Sequence, residues 1–253
     1  MTGRDGQLHR ARALLEQDRV WCAYALADLE PPWVGETAWL VGTAAVAILF
    51  RGLTPPFLFV HGDPSETNEV LQGLPQGRYQ YSLLGAHRSQ LRARLHSTRE
   101  LPMWRMVLRP ESFPWQHAAE AERLGPRDLG ALLDLFGDHP DRPDSFIPSQ
   151  LEAGVFFGVR EDGRLVAAAG THFIAERPSV AAIGSVFTHP DRRGHGFAGR
   201  ASAAVARTLV ERKLGTIVLN VAMDNGPALD LYRALGFWPF CGYYEGVGEI
   251  TAA

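Results

Sequence analysis

The sequence predicts an α/β protein, and three observations carry that reading. Short apolar, β-branched runs alternate with segments whose apolar residues recur at helical spacing. A glycine-rich turn, Val186 to Gly199, joins a strand-like run to a helical one. A change of pattern near residue 100, followed by the proline-marked segment Pro110 to Pro114, separates two such series. With 253 residues, 46% hydrophobic and 21% charged, the chain can bury one large core or two small ones.

In the first series, Leu8 to Gln17 and Val20 to Leu29 are expected as short helices, stopped by Pro31-Pro32. Strands are expected over Thr37 to Gly42, Ala44 to Arg51, Phe57 to His61 and Arg78 to Leu84, with helices over Glu66 to Leu74 and Ser89 to Ser97. The second series opens with the alternating strand Met103 to Arg109. Helices follow over Arg127 to Phe136 and roughly Ser145 to Glu152, then strands over Val155 to Glu161, Leu165 to Ala175 and Ala181 to Thr188. The long helix Phe197 to Arg212 carries Phe197, Ala201, Ala204, Val205 and Thr208 at helical spacing, which gives it one face to lay on a sheet. A strand over Thr216 to Met223, a helix over Pro227 to Leu235 and a closing strand over Tyr243 to Ile250 complete the chain. The expected domains are residues 1–100 and 101–253.

The turn Val186 to Gly199 is the most informative stretch. A strand that passes through a polar glycine-rich turn into a helix N-terminus directs several backbone N–H groups at one point, which suits a phosphate-bearing ligand. Gly194, Gly196 and Gly199 spell G-x-G-x-x-G, a dinucleotide-binding pattern. Five residues, His189 to Arg193, stand between the strand and the first glycine, and about one further βα unit fits after the helix. A dinucleotide fold needs more parallel strands than that.

Arg193-Gly194-His195-Gly196-Phe197-Ala198 also fits [Q/R]-x-x-G-x-[G/A], and Asn225-Gly226-Pro227-Ala228-Leu229-Asp230-Leu231-Tyr232-Arg233-Ala234-Leu235-Gly236-Phe237 follows about 30 residues later. This pair of motifs closely resembles the GNAT superfamily of acyl-CoA-dependent N-acyltransferases. The resemblance implies a mixed, mostly antiparallel central sheet flanked by helices. It also implies acetyl-CoA or another acyl-CoA as cofactor, and direct acyl transfer to a primary amine. Residues 1–100 resemble the same superfamily without its motifs, as a smaller, degenerate GNAT-like domain expected to wall the acceptor site.

By that resemblance the pyrophosphate lies against Arg193, Gly194, His195, Gly196, Phe197 and Ala198, and the pantetheine arm along Val186, Phe187 and Thr188, with a backbone N–H near Phe187 meeting the oxyanion. Asn225 bonds the arm; Asn225-Gly226-Pro227 is equally a good turn and helix start. Tyr232 corresponds to the tyrosine that protonates the leaving thiolate, as a phenol with pKa near 10 can at neutral pH. Ala228, Leu231, Tyr232 and Leu235 also form a helical stripe, so a packed core tyrosine fits the same residues. Relatives carry a glutamate base where this chain has Asn220, which cannot accept the proton. The base candidates left are Glu176, His172, His189 and Glu245, with Glu176 preferred, and a water chain or an already neutral amine needs none of them.

Two other functions fit part of the sequence: a non-catalytic acyl-CoA-binding sensor, and an NAD(P)-dependent oxidoreductase. A net charge of −3 without a basic block disfavours nucleic acid. Cys22 and Cys241 form no ligand cluster, so metal is not expected, and Cys241 lacks a histidine at recognisable spacing for nucleophilic catalysis. No secretory core or spanning run appears, which predicts a cytoplasmic protein without a membrane partner. The expected partner is a small-molecule or peptide amine acceptor; a homodimer stays open.

Overall fold

The structure is a computed structural model describing residues 3–114, 121–143 and 146–251. The chain divides into two compact units: Met1–Arg105 with Val221–Asp224 and Pro239–Ala253, and Met106–Asn220 with Asn225–Trp238. The break read near residue 100 thus lies inside a strand, and the chain's last segment belongs to the first unit.

The first unit contains helices α1 (Arg4–Leu15), α2 (Ala23–Ala27) and α3 (Trp33–Glu36), strands β1 (Thr37–Val41), β2 (Ala45–Phe50) and β3 (Phe57–Gly62), helix α4 (Thr67–Val70), strand β4 (Gly77–Leu83), helix α5 (Gly85–Gln90) and most of strand β5 (Leu95–Leu108). Its sheet runs β1-β2-β3-β4-β11-β5, where β11 is the last strand, Phe237–Ile250. The pairs β1–β2, β2–β3 and β4–β11 are antiparallel and β3–β4 is parallel. One sheet face packs Ala47, Leu49, Leu58, Val60, Tyr81 and Leu83 against Val70, Leu71 and Leu91.

Most expected elements of this unit are present, with three corrections, the first being that the helix expected over Glu66 to Leu74 is α-helical only over Thr67–Val70. The Val20 to Leu29 helix shrinks to Ala23–Ala27. The Ser89 to Ser97 helix is replaced by the end of α5, a turn, and the start of β5. Leu91 and Leu95, four apart, look helical in sequence and do face one core. They reach it through a turn, because from Leu95 onward the backbone is in the ladder, where the Thr98 hydroxyl donates to the carbonyl of Val247. Tertiary pairing overrides local pattern here.

The second unit has β6 (Glu122–Leu124), α6 (Leu129–Phe136), α7 (Pro148–Ala153), β7 (Phe156–Glu161), β8 (Arg164–Ala175), β9 (Val180–Thr188), α8 (Phe197–Glu211), β10 (Thr216–Ala222, as far as Asn220 in this unit) and α9 (Gly226–Ala234). Ser145, where the second helix of this half was expected to begin, lies outside the described residues. β6 was not expected, and β11 starts at Phe237, six residues before the expected Tyr243. The sheet order is β10-β9-β8-β7-β6. β6 to β9 are successive antiparallel neighbours, while β10 pairs with β9 in parallel. Leu132, Leu135 and Phe136 of α6 and Leu151 of α7 pack with Phe156, Ala168 and Phe187. Phe197 of α8 packs with Val159, Val166 and Ala167.

The face that α8 buries is wider than the predicted stripe. Ser202, Ala203, Ala206 and Leu209 are buried with Phe197, Ala201 and Val205, and small side chains let the helix approach the strands closely. Among the described residues no helix is long and apolar enough to cross a membrane.

Candidate active site

The parallel pair β9–β10 sets the site. Its register runs from Thr216↔Val180 to Leu219↔Ile183 and then stops, although both strands continue. Just past that point β9 bulges against β8. Gly170 opposes Gly184 and Ala168 opposes Phe187, so Ser185 and Val186 share one partner position. Ser185 has φ of 51°, a left-handed conformation that costs a non-glycine residue of order 1 kcal/mol or more. Bulges of this kind interrupt the ladder and re-aim the residues beyond them.

Three side-chain oxygens near this divergence are buried without a hydrogen-bond partner: Ser185 Oγ, Thr188 Oγ1 and Asn220 Oδ1. A buried polar atom left unpaired costs about 1–3 kcal/mol.

Beyond Thr188, the chain from Asp191 to Gly196 is exposed at every residue before it turns inward at Phe197. Gly194 and Gly196 have φ of 80° and 76°, the region glycine enters without steric cost, and a Cβ at either would meet open space. Gly196 precedes α8 without a capping side chain, which leaves the first-turn N–H groups of a 15-residue helix unclaimed. Uncapped amides, two left-handed glycines and an open approach fit a phosphate group. The His195 ring stacks on Phe197 at 5.6 Å and fixes the end of the loop.

The loop's cations already have partners. Arg193 Nη2 donates to the Asp141 carboxylate, and Arg192 Nε lies 3.0 Å from Glu161 Oε2. His139, from the segment after α6, packs its ring 5.6 Å from that of Phe187 and 5.3 Å from that of His189. A cavity of about 630 Å³ borders the loop, but its lining mixes Arg160, Arg164 and Arg192 with Asp134, Glu161 and Asp191. The anion-directed feature is therefore the backbone of 193–198, not this cavity.

Asn225 Oδ1 accepts from the N–H of Ala228 and caps α9, so the helix-start reading of that residue holds, with its amide N–H groups left for other use. Tyr232 lies seven residues further on the same helix and is buried against Phe237, ring centroids 6.1 Å apart. Burial pushes its phenol up to about 12, so it stays protonated at neutral pH. Its hydroxyl makes no hydrogen bond to a described residue.

Among the sequence-selected bases the structure separates Glu176 from the rest of the site. Glu176 is exposed in the β8–β9 turn and pairs with Arg212 at the C-terminal end of α8. The nine residues of β9 lie between it and the glycine loop, roughly 26 Å at about 3.3 Å per residue. His172 stands on β8 beside Gly184. His189 Nδ1 accepts from the N–H of Asp191 in the loop, and Glu245 belongs to the first unit, where its carboxylate accepts from Tyr243. Burial pushes the Cys241 thiol up to about 11, which suppresses the thiolate a nucleophile needs. No group of three or more His, Cys, Asp or Glu that could hold a metal occurs among the described residues. Sequence reasoning missed Ser185, Asp141 and His139; only the glycine before Ser185 could have signalled the bulge.

A run of parallel strands, as a dinucleotide fold requires, is not what this sheet provides: β9–β10 is the parallel pair and β6 to β9 alternate. The oxidoreductase alternative loses its structural basis. Residues 104–237 match the Acetyltransferase (GNAT) family model, more than half of the chain. No curated protein matches the chain. Solved structures share its fold. A GCN5-related N-acetyltransferase from Kribbella flavida is 18% identical, with 96% of each chain covered and a TM-score of 0.65. Another from Sphaerobacter thermophilus is 18% identical, with 98% of this chain and 94% of that one covered, TM-score 0.64. A tandem GNAT protein from the clavulanic acid biosynthesis pathway is 12% identical, with 99% of this chain and 97% of that one covered, TM-score 0.61. Motifs, diverging parallel strands and family match agree: this chain belongs to the GNAT acetyltransferase family.

Proposed function

We propose that the protein transfers an acetyl or other acyl group from acyl-CoA directly to a primary amine. The observation that carries this reading is the end of β9–β10 pairing at Ile183↔Leu219, beside a bulge and upstream of an uncapped glycine loop. The acyl-CoA supplies an activated thioester carbonyl. The N–H groups of Arg193 to Ala198 hold the phosphates, Val186 to Thr188 line the arm, and the amide of Asn225 donates to it. A backbone N–H at Phe187 bears on the developing oxyanion. Tyr232, protonated because it is buried, gives its proton to the departing thiolate. Glu176 has no part in this arrangement.

We place acetyl-CoA first among acyl donors, from the family reading, and read the first unit as a degenerate GNAT-like domain. Its mixed sheet and the coverage of nearly the whole chain by a tandem GNAT structure support that reading. Asn220, where relatives have a glutamate, favours the sensor alternative, which binds acyl-CoA without turnover.

Calorimetry with acetyl-CoA, free CoA and NADP, on the wild type and Arg193→Glu, tests the cofactor. CoA binding that the substitution abolishes is expected, followed by acetylation of at least one member of a primary-amine panel. Preference for NADP, or no CoA binding, would overturn the proposal, and CoA binding without turnover on any amine would establish the sensor.

A further inference from the structure

We propose that His172 is the catalytic base of this reaction, the group that relieves the attacking amine of its proton. The inference rests on the acyl-transfer function proposed above.

Two bulges converge at this point. On β8, Thr171 opposes Ile183 and Phe173 opposes Ala182, so His172 is an extra residue with no partner position on β9. On β9, Ser185 and Val186 together stand opposite one residue of β8, so one of the two is extra. The first bulge turns the imidazole onto Gly184. A methyl group at residue 184 would overlap the ring, Nε2 and Cδ2 above all, so only glycine there admits it. Gly184 is thus explained by the histidine, since its own φ is not in the left-handed region.

The place where the ring lies is the centre of the candidate site. Gly184 follows Ile183, the last residue of β9 paired with β10, as Asn220 follows Leu219, the partner of Ile183. Ser185, next in the chain, carries the strained φ and the unpartnered hydroxyl. The histidine is half-buried, as a group must be to meet both a substrate and solvent. An asparagine at 220 cannot accept a proton, whereas the lone pair of a neutral imidazole can. Of the base candidates read from the sequence, His172 has its ring on this strand segment, whereas Glu176 is placed at the far end of β9.

In the balanced step the amine nitrogen bonds to the acyl carbon, the carbon–sulfur bond breaks, the amine proton passes to the imidazole of His172, and the thiolate takes the phenolic proton of Tyr232. Proton exchange through solvent returns both groups to their starting states.

The test uses the full chain, acetyl-CoA and the best acceptor from the amine panel. His172→Ala and His172→Gln are expected to lose on the order of 10²-fold or more in kcat while binding CoA within twofold of the wild type. Added imidazole should restore part of the turnover of His172→Ala. Gly184→Ala, which keeps the histidine but puts a methyl group in its place, should lose comparably, and the double variant should lose no more than the poorer single one. Full turnover by His172→Ala, or a loss without imidazole rescue that follows lost CoA affinity, would overturn the assignment. A wild type that binds CoA but acetylates no amine would overturn the function itself, and is recognised before any variant is made.

Discussion

Arg193, the first residue of the phosphate motif, is held by the carboxylate of Asp141, which comes from the segment between α6 and α7. Both side chains are about half exposed, so the pair is a screened surface contact rather than a buried one. An anion arriving at the motif must compete with Asp141 for this guanidinium.

Asp141→Asn should therefore tighten CoA binding. The pair is worth at most about 1 kcal/mol, so a fall in Kd of up to about fivefold is expected, fading as salt is raised. Calorimetry with CoA and with pantetheine separates the effect: the second lacks the phosphates and should bind both proteins alike. Equal tightening for pantetheine would show that Asp141 acts on something other than phosphate.

Tyr232→Phe keeps the ring that packs against Phe237 and removes the hydroxyl. Turnover should fall ten- to a hundredfold or more, on the order expected for losing a general acid, while CoA affinity stays within twofold. Steady-state kinetics beside calorimetry distinguishes this from a packing defect, which would lower thermal stability and affinity together. An unchanged kcat would remove Tyr232 from the mechanism.

In the first unit, Arg105 is 2% exposed and its guanidinium lies 4.7 Å from the centroid of Tyr24, 5.3 Å from that of Trp21 and 5.7 Å from that of Tyr243. Its Nε and Nη1 have no hydrogen-bond partner. Cation–π attraction offsets only part of the desolvation of such a charge. Arg105→Met, similar in volume and uncharged, should be neutral or stabilising by about 1 kcal/mol, whereas Arg105→Ala should cost about 2–4 kcal/mol through the cavity it leaves. Urea denaturation decides; a large loss in the methionine variant would mean that the charge itself holds the aromatic cluster together.

His87 is buried, and its Nδ1 lies 2.8 Å from Thr67 Oγ1. Burial, with nearby His61 adding to it, lowers its pKa to about 4. Between that value and the unfolded value near 6.5 the folded chain holds fewer protons than the unfolded one, so stability rises with pH across the window and is lost as pH falls. The slope for one such group is at most about 1.4 kcal/mol per pH unit. His87→Gln should flatten denaturation midpoints between pH 6.5 and 4, apart from what His61 contributes. An unchanged slope would place the acid sensitivity elsewhere.

How far the sequence could be read depended on whether a feature was local. Gly194, Gly196, Asn225 and Tyr232 belong to short contiguous patterns whose geometry follows from the residues themselves, such as left-handed glycines and a capped helix start. β7 to β9 and α8 were legible for the same reason, each having its own period. Leu91 and Leu95 misled, because their spacing suits a helix and only pairing with a strand some 150 residues away makes Leu95 the start of β5. Glu176 misled differently. Its chemistry was right for a base, but position along a hairpin is set by register, and register placed it in the turn remote from the motif. His172 was named among the base candidates, but its place beside Gly184, like the strain at Ser185 and the pairing of Asp141, comes from a bulge or a long-range ion pair, neither of which leaves a period in the sequence.

The place of β11 bears on how the chain can be assembled and dissected. Residues Tyr244 to Ile250 pair with Leu83 back to Gly77, so the first unit's sheet closes only when a segment far downstream of β4 in the chain has joined it. Until then β4 and β5 present open edges, the kind of surface that recruits stray strands. A fragment cut at residue 100 separates β4 from its partner strand and divides β5. Useful truncations would have to follow the spatial boundary, by circular permutation or by supplying residues 239–253 as a separate peptide.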